Sequence, residues 1–171
     1  MAVVEGILQE FDQEAQTTRR VLERVPGDQL AWKPHPTSMS LGQLALHIAA
    51  TPGFVVGWLP VESTEFPDME AAPPQPQSIA EVFAAFDQSV AAVKGTLGQL
   101  GDAGLQGDCR LTKSGATMMS MPKMGLVRTI ILNHTYHHRG QLAVYLRILG
   151  VPVPSIYGPS ADENPFAVAR A

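Results

Sequence analysis

Three histidines stand within five positions of the stretch LNHTYHHRGQL, residues 132–142 of the chain. An imidazole can bind a metal ion or exchange a proton near neutral pH, so the cluster is a candidate centre for either chemistry. On a helix, His134 and His138 lie one turn apart and about 40° from each other, where both can bind one ion. His137 lies about 60° to the other side, so we expect it to support the centre, face an interface or remain exposed.

The same helical wheel places His134 and His138 on a face that also carries apolar side chains. The apolar residues within about 80° of His134 are Val127, Ile130, Ile131, Leu142, Tyr145, Ile148 and Leu149. We therefore expect both histidines at the centre of the buried face, where an unpaired polar group costs on the order of 1–3 kcal/mol. A shared metal ion would satisfy them, and so would hydrogen bonds to carbonyl groups or water.

A third histidine, His47, lies on the apolar face of an earlier segment, SLGQLALHIAATPGFVVGWL. If that segment is a helix beside the last one, His47, His134 and His138 can form a three-histidine metal site. The sequence identifies no fourth protein ligand, and an open position is typical of catalytic rather than structural sites. The glutamate of a His-Glu-x-x-His metalloprotease is absent. His35, between two prolines, is expected at the surface.

Two polar neighbours of the histidines are placed by the same wheel. Gln141 lies about 20° from His134, so it could orient a ligand, bond the second nitrogen of a histidine or cap a polar core. Arg139 lies about 140° away, and we expect it outside the core, at a dimer surface or paired with an acidic residue. Tyr145 and Trp58 are interpreted as core residues in preference to a substrate platform.

The first two helices that must position these residues are indicated by periodicity and capping. Apolar residues at spacings of three and four predict a helix over residues 3–24. After a segment rich in proline and glycine, Ser40 is the expected cap of the second helix. Pro52 should kink or loosen that helix, because proline removes a backbone donor and crowds the preceding turn.

The later helices have clearer boundaries. Ser78 and Glu81 have the spacing of a capping box and begin a third helix. The last helix is predicted from about Gly125 to Leu149 and should stop at Gly150. Between the helices, residues 60–77 and 101–122 read as long connections without regular elements. The sequence therefore predicts an all-α protein, an antiparallel four-helix bundle with long crossover connections.

Composition restricts the domain count, the partners and the compartment. A chain of 171 residues with 45% hydrophobic residues predicts a single domain spanning 1–171. A net charge of −4 and scattered basic residues argue against nucleic-acid binding. No apolar run approaches the roughly 20 residues of a membrane span, and Glu5 and Glu10 precede any basic residue, unlike a signal peptide. With Cys109 as the single cysteine, we predict a cytoplasmic protein.

The segments HTYHHRGQLAVYLRILGVPVP and SLGQLALHIA together resemble the DinB-like (YfiT-type) superfamily, and the order of segments matches over nearly the whole chain. The resemblance implies a four-helix bundle of up-down-down-up order, usually a homodimer, with a divalent metal held by three histidines. Carried over by motif, these are His47, His134 and His138, the residues that the helical wheel also selects.

Members of this superfamily include bacillithiol S-transferases and mycothiol-dependent maleylpyruvate isomerases, which are thought to activate a low-molecular-weight thiol on the metal. The leading hypothesis is a metal-dependent S-transferase or hydrolase that activates a thiol or water for a small-molecule substrate. Three imidazoles suit Zn²⁺ or Ni²⁺ among the divalent ions. The alternative is a non-enzymatic stress-response or interaction protein with a structural metal or none.

Overall fold

The computed structural model describes residues 2–67 and 73–167. Within these ranges the fold is mostly helical, with a small sheet. The helices are α1 (Val3–Leu22), a 3-10 turn (Gly27–Gln29), α2 (Leu41–Val56), α3 (Ile79–Gly104), α4 (Lys123–Leu126) and α5 (His134–Ile148). A π-helical segment, Val127–Asn133, joins α4 directly to α5, and these three pieces together form the final helix. The strands are β1 (Ser63–Glu65), β2 (Asp108–Lys113) and β3 (Ala116–Pro122).

Two helix starts lie where the sequence predicts them. The Ser40 hydroxyl accepts the backbone N–H of Gln43 at 3.1 Å, and the Gln43 side chain accepts the N–H of Ser40 at 2.9 Å. Ser78 accepts the N–H of Glu81 at 3.3 Å. The Glu81 carboxylate accepts the N–H of Gln77 at 3.1 Å, one residue earlier than in a capping box.

The final helix also ends at its predicted residue, Gly150. This glycine has a φ of 72°, which favours a residue without a Cβ. Its N–H donates to the carbonyl of Arg147 at 3.1 Å, and the N–H of Val151 donates to that of Leu146 at 2.9 Å. These two bonds form a Schellman motif and satisfy the last carbonyl groups of the helix.

Contacts of α1 fix the directions of two of its neighbours. Helix α1 is antiparallel to α3, because Asp12 pairs with Lys94 at 2.8 Å whereas the N–H of Val4 binds Asp102 at 2.8 Å. It is parallel to the final helix, because Glu10 pairs with Arg128 and Glu14 pairs with Arg139, both at 2.7 Å.

Helix α2 completes the arrangement. It is parallel to α3, because Gly42 lies against Pro76 near the start of α3 and Gly53 lies against Ser89 further along it. It is antiparallel to α5, whose Tyr145 hydroxyl donates to the carbonyl of Met39 while His134 faces His47. The helices therefore follow the up-down-down-up order that the resemblance implied.

The sheet corrects the all-α prediction. Strand β1 pairs in parallel with β2, and β2 pairs with β3 as an antiparallel hairpin. The hairpin turn contains Ser114 and Gly115 with φ values of 52° and 80°, as a two-residue type I′ turn requires. Cys109 and Leu111 on β2 are buried in the core, so the sheet covers part of the bundle. The expectation that both connections lack regular elements was wrong.

Pro52 lies inside α2 without ending the helix. The N–H of the next residue, Gly53, donates to the hydroxyl of Ser89 on α3 at 2.7 Å. A Cβ on Gly53 would lie only 2.6 Å from the Cα of Ser89, so the two backbones meet almost directly. The part of α2 around Pro52 is thus held by α3. No helix in the two described ranges has both the length and the apolar character needed to cross a membrane.

Candidate metal centre

The three predicted ligands come together between α2 and α5. Nε2 of His134 lies 3.5 Å from Nε2 of His47 and 3.0 Å from Nε2 of His138. One nitrogen of each ring lies within 4.8 Å of the other two. Three nitrogens bound tetrahedrally to one zinc ion are about 3.3 Å apart, given Zn–N distances of about 2.0–2.1 Å. The rings therefore already have the spacing that a shared divalent ion would need.

Local structure explains how the chain places these rings. His134 and His138 are one turn apart on α5, and His47 reaches them from α2, which runs antiparallel alongside. His134 begins α5 directly after the π-helical segment, and its N–H donates to the carbonyl of Thr129. The Thr135 hydroxyl on α5 donates to the carbonyl of Ile131 in that segment at 2.9 Å. Single π-helical turns are frequent at functional sites.

The outer nitrogens of two histidines have hydrogen-bond partners. Nδ1 of His138 lies 2.7 Å from Oε1 of Gln141, and Nδ1 of His47 lies 3.3 Å from the Thr51 hydroxyl. An amide oxygen can only accept, so His138 carries its proton on Nδ1 and directs a lone pair on Nε2 into the cluster. Of the roles that the sequence allowed for Gln141, the contact matches a bond to the second nitrogen of a histidine, and its side chain is exposed.

Burial keeps the three imidazoles neutral. The pKa of His47 and the pKa of His134 are both lowered from 6.5 to about 4. Desolvation by burial is the largest cause, and electrostatic repulsion from His138 is the second. Desolvation also lowers the pKa of His138, against the opposing effect of its hydrogen bond to Gln141. A metal ion binds only the neutral form of an imidazole, so at neutral pH all three rings are available as ligands.

The donor set fits a divalent ion with an open coordination position. In the part of the chain that the structure describes, no carboxylate, thiol or further imidazole joins His47, His134 and His138. Three neutral nitrogen ligands suit Zn²⁺ and other borderline divalent ions. A closed structural zinc site has four protein ligands, whereas three leave a position for water or substrate.

Comparison with known proteins identifies the family of the chain. Residues 1–165 match the sequence profile of the DinB family. The chain belongs to this family. It is 27% identical over 160 residues to the uncharacterized protein YrdA of Bacillus subtilis strain 168, covering 94% of this chain and 91% of YrdA. The resemblance that the histidine motif indicated is thus confirmed.

Two solved structures resemble the DinB-family fold described above. A DinB-like protein of Bacillus cereus ATCC 10987 is 26% identical to this chain and has a TM-score of 0.70. The match covers 90% of this chain and 97% of the Bacillus cereus chain. The DinB-like protein YjoA of Bacillus subtilis is 22% identical to this chain and has a TM-score of 0.68. The match covers 88% of this chain and 97% of the YjoA chain. At that identity the second likeness shows the fold alone.

The other candidate residues lie outside the cluster. His137 is exposed, its ring meets that of His138 edge-on with centroids 4.9 Å apart, and its Nε2 lies 3.1 Å from Nε2 of Gln141. His35 is exposed and bonds Thr37, as predicted for a surface residue. Cys109 is buried in β2, and this burial raises the pKa of its thiol.

Arg139 contradicts the sequence-based placement outside the core. Its side chain is 1% exposed and lies between α5 and α1. Its guanidinium pairs with Glu14 at 2.7 Å and donates to the Thr18 hydroxyl at 3.1 Å. An acidic partner was one of the two surroundings expected for Arg139 from the sequence. The guanidinium also lies over the rings of Tyr136 and Tyr157. The charge is therefore buried together with several partners.

One physical reason explains the errors on the last helix. The buried residues of α5 are Arg139, Leu142 and Leu146. On the helical wheel, the centre of this buried face lies about 110° from His134. The histidines are only partly buried, toward α2, and Ile148 is 59% exposed although the wheel placed it inside. The wheel assumed that a charged Arg139 faces outward, and the partners that allow its burial were not identifiable in the sequence.

A pocket that no pattern in the sequence predicted borders the cluster. Its volume is about 280 Å³, and it lies between α2 and the segment preceding α3. His47 and Thr51 belong to both the pocket and the histidine centre. The remaining lining residues are Gln43, Leu46, Ala50, Phe54, Pro73 and Pro74. A small molecule in this pocket would contact one of the candidate metal ligands.

Proposed function

We propose that this chain is a divalent-metal-dependent enzyme that activates a thiol or a water molecule at His47, His134 and His138. An S-transferase that uses a low-molecular-weight thiol is the sharpest form of the proposal, and Zn²⁺ or Ni²⁺ is the ion we expect. The observation that carries it is the convergence of three neutral imidazole nitrogens without a fourth protein ligand in the described ranges.

The chemistry divides between the ion and the chain. A bound divalent ion lowers the pKa of a coordinated thiol or water and so supplies a nucleophile at neutral pH. The chain would hold the ion through the Nε2-bearing rings of His47, His134 and His138, whose pKa values are lowered by burial. Gln141 and Thr51 fix the rotation of two rings through their outer nitrogens.

A homodimer is part of the same proposal. Val144 and Ile148 are 57% and 59% exposed and lie one turn apart on the outer face of α5. Adjacent exposed apolar side chains of this kind favour a protein contact. Sedimentation of the wild type as a dimer and of Val144→Glu as a monomer would support this assembly, and a monomeric wild type would contradict it.

The deciding experiment is elemental analysis of protein purified without a histidine tag. We expect about one divalent ion per chain in the wild type and in His35→Ala, an exposed histidine outside the cluster, and most of it lost in His47→Ala and His138→Ala. Equal metal content in all four proteins would contradict the site.

Thermal melting with and without a chelator separates an enzyme from a structural metal protein. A catalytic site should leave a folded metal-free form, and small thiols should bind to the loaded protein. If chelation unfolds the chain, metal-binding energy is folding energy, and the non-enzymatic alternative is favoured.

A further inference from the structure

The pocket beside His47 has apolar walls. Leu46, Ala50 and Phe54 come from one side of α2, and Pro73 and Pro74 close the opposite side. Of the lining residues within the described ranges 2–67 and 73–167, none has an aspartate, glutamate, lysine or arginine side chain. In the metal-free chain, an ionic group that entered this pocket would lose water without gaining a charged partner among these residues, which is unfavourable.

The polar groups of the wall are already used within the protein. Nε2 of Gln43 donates to the carbonyl of Pro73 at 2.8 Å, and Oε1 of Gln43 accepts the N–H of Ser40 at 2.9 Å. The Thr51 hydroxyl lies 3.3 Å from Nδ1 of His47. The Gln43 bonds also tie the Pro73 side of the pocket to α2, so the walls are connected before any ligand binds. Rebuilding these bonds around an ionic ligand would disturb the wall and the His47 ring together.

The size of the pocket suits part of a small molecule. Its volume of about 280 Å³ lies near the lower end of ligand pockets, which measure roughly 300–1,000 Å³. Another void that involves α2, lined by Pro52 and Ser89 among others, has only about 20 Å³ and has room for about one water molecule. The pocket beside His47 is therefore the one of the two that can accept a substrate group.

We infer that this pocket binds an uncharged, apolar group of the small-molecule substrate, such as an aryl or short alkyl group, and discriminates against substrates that carry a carboxylate or ammonium there. The inference rests on the proposed function, since it assigns a substrate class to the same centre. Phe54 is the specificity-determining residue, because its ring is 57% exposed and forms the largest apolar part of the wall.

The chain contains an internal reporter for this pocket. The Phe54 ring meets the Trp58 ring edge-on with centroids 5.5 Å apart, so a ligand against Phe54 changes the surroundings of Trp58. The chain has two tryptophans, and the other one, Trp32, packs on Tyr145. Trp32→Phe leaves Trp58 as the single fluorescent tryptophan.

The test uses full-length metal-free Trp32→Phe protein and three probes of nearly equal size: 2-phenylethanol, phenylacetate and 2-phenylethylamine. We expect the alcohol to change Trp58 fluorescence and to bind at least about tenfold more tightly than either ion, since neither ionic group finds a partner in the wall. Equal affinity for all three probes, or no saturable binding of the alcohol, would overturn the inference.

Variants place the binding in the pocket. Ligand-observed NMR, which does not depend on the tryptophan, should show binding of the alcohol weakened at least about fivefold by Phe54→Ala and unaffected by Phe166→Ala, a control at another exposed aromatic residue. Ala50→Phe should block the pocket. Unchanged binding in both pocket variants would overturn the assignment.

The outcome is separable from that of the proposed function. Binding of the alcohol by a chain that takes up no metal would support the pocket and reject the metal enzyme. A chain that binds metal but does not distinguish the three probes would keep the metal centre and reject the apolar pocket.

Discussion

Oε1 of Gln141 lies 2.7 Å from Nδ1 of His138, and Nε2 of the same amide lies 3.1 Å from Nε2 of His137. The exposed side chain of Gln141 thus orients the candidate metal ligand His138 and connects it to His137. Groups that hold the outer nitrogen of a metal-binding histidine fix its tautomer and its ring orientation.

Replacing Gln141 by alanine should weaken metal binding about 10–100-fold, because His138 loses the acceptor that orients it. Since Gln141 is exposed, the melting temperature of the metal-free protein should change little. Competition with a chromophoric chelator at pH 7.5 measures the affinity. Gln141→Glu keeps an acceptor at this place and should retain most of the affinity. Wild-type affinity in Gln141→Ala would show that the contact does not position the ring.

The metal-free protein should lose stability as the pH falls from about 6.5 to about 4. In this range the unfolded chain binds protons at His47 and His134, whereas the folded chain does not, because burial lowers both pKa values to about 4. The free energy of unfolding therefore decreases as the pH falls. Near pH 5 these two residues should account for about two protons taken up on unfolding.

Urea unfolding at a series of pH values measures this proton uptake. His47→Gln should reduce the uptake by about one proton. An identical pH dependence in His47→Gln and in the wild type would contradict the neutral state of the buried ring.

Removing the buried guanidinium of Arg139 should destabilise the fold strongly. Arg139→Met leaves Glu14 without its cation in a place where the carboxylate is only 17% exposed, and breaking such a pair costs about 3–5 kcal/mol. Lys94→Met, which breaks the exposed pair with Asp12, is the control and should cost less than about 1 kcal/mol. Chemical denaturation measures both.

The double variant Glu14→Gln with Arg139→Met tests the cause. It should recover a large part of the lost stability, since no uncompensated charge remains. A double variant as unstable as Arg139→Met alone would mean that the hydrogen bonds and ring contacts of Arg139, and not its charge, stabilise the junction of α1 and α5.

Close contact between α2 and α3 is expected to control the position of His47. A Cβ on Gly53 would lie 2.6 Å from the Cα of Ser89, so Gly53→Ala must push the helices apart. We expect a loss of about 1–3 kcal/mol and weaker metal binding. Gly98→Ala, on α3 with no neighbour near the added methyl group, should instead stabilise by up to about 1 kcal/mol without changing metal affinity. Equal behaviour of the two variants would contradict this contact.

The helices and the histidine set could be predicted because their signals are local. Ser40, Ser78 and Gly150 mark helix ends through bonds to backbone groups within a few residues. His134 and His138 are brought together by the helical period itself. The contact with His47 required only that two amphipathic helices pack side by side, although the two residues are 87 positions apart.

The features that were missed depend on partners far away in the sequence. Arg139 is buried because Glu14 and Thr18 lie opposite it on α1, more than 120 residues earlier. The small sheet depends on β1 pairing with β2 across the whole of α3. Its hairpin did have a local signal, since Ser114 and Gly115 form a dipeptide typical of tight turns, but β3 is largely exposed and lacks the alternation of a half-buried strand.

The π-helical segment Val127–Asn133 separates the final helix into two parts with different helical frames. A π-turn holds one residue more than an α-turn. Compared with an uninterrupted α-helix, the segment therefore rotates the part of the helix that carries the histidines by about 100° relative to the part before it. Deleting one residue there would restore a regular helix and turn His134 and His138 with respect to the core contacts of Val127. The direction in which this chain presents its imidazoles is thus encoded in the length of a seven-residue segment that contains none of them.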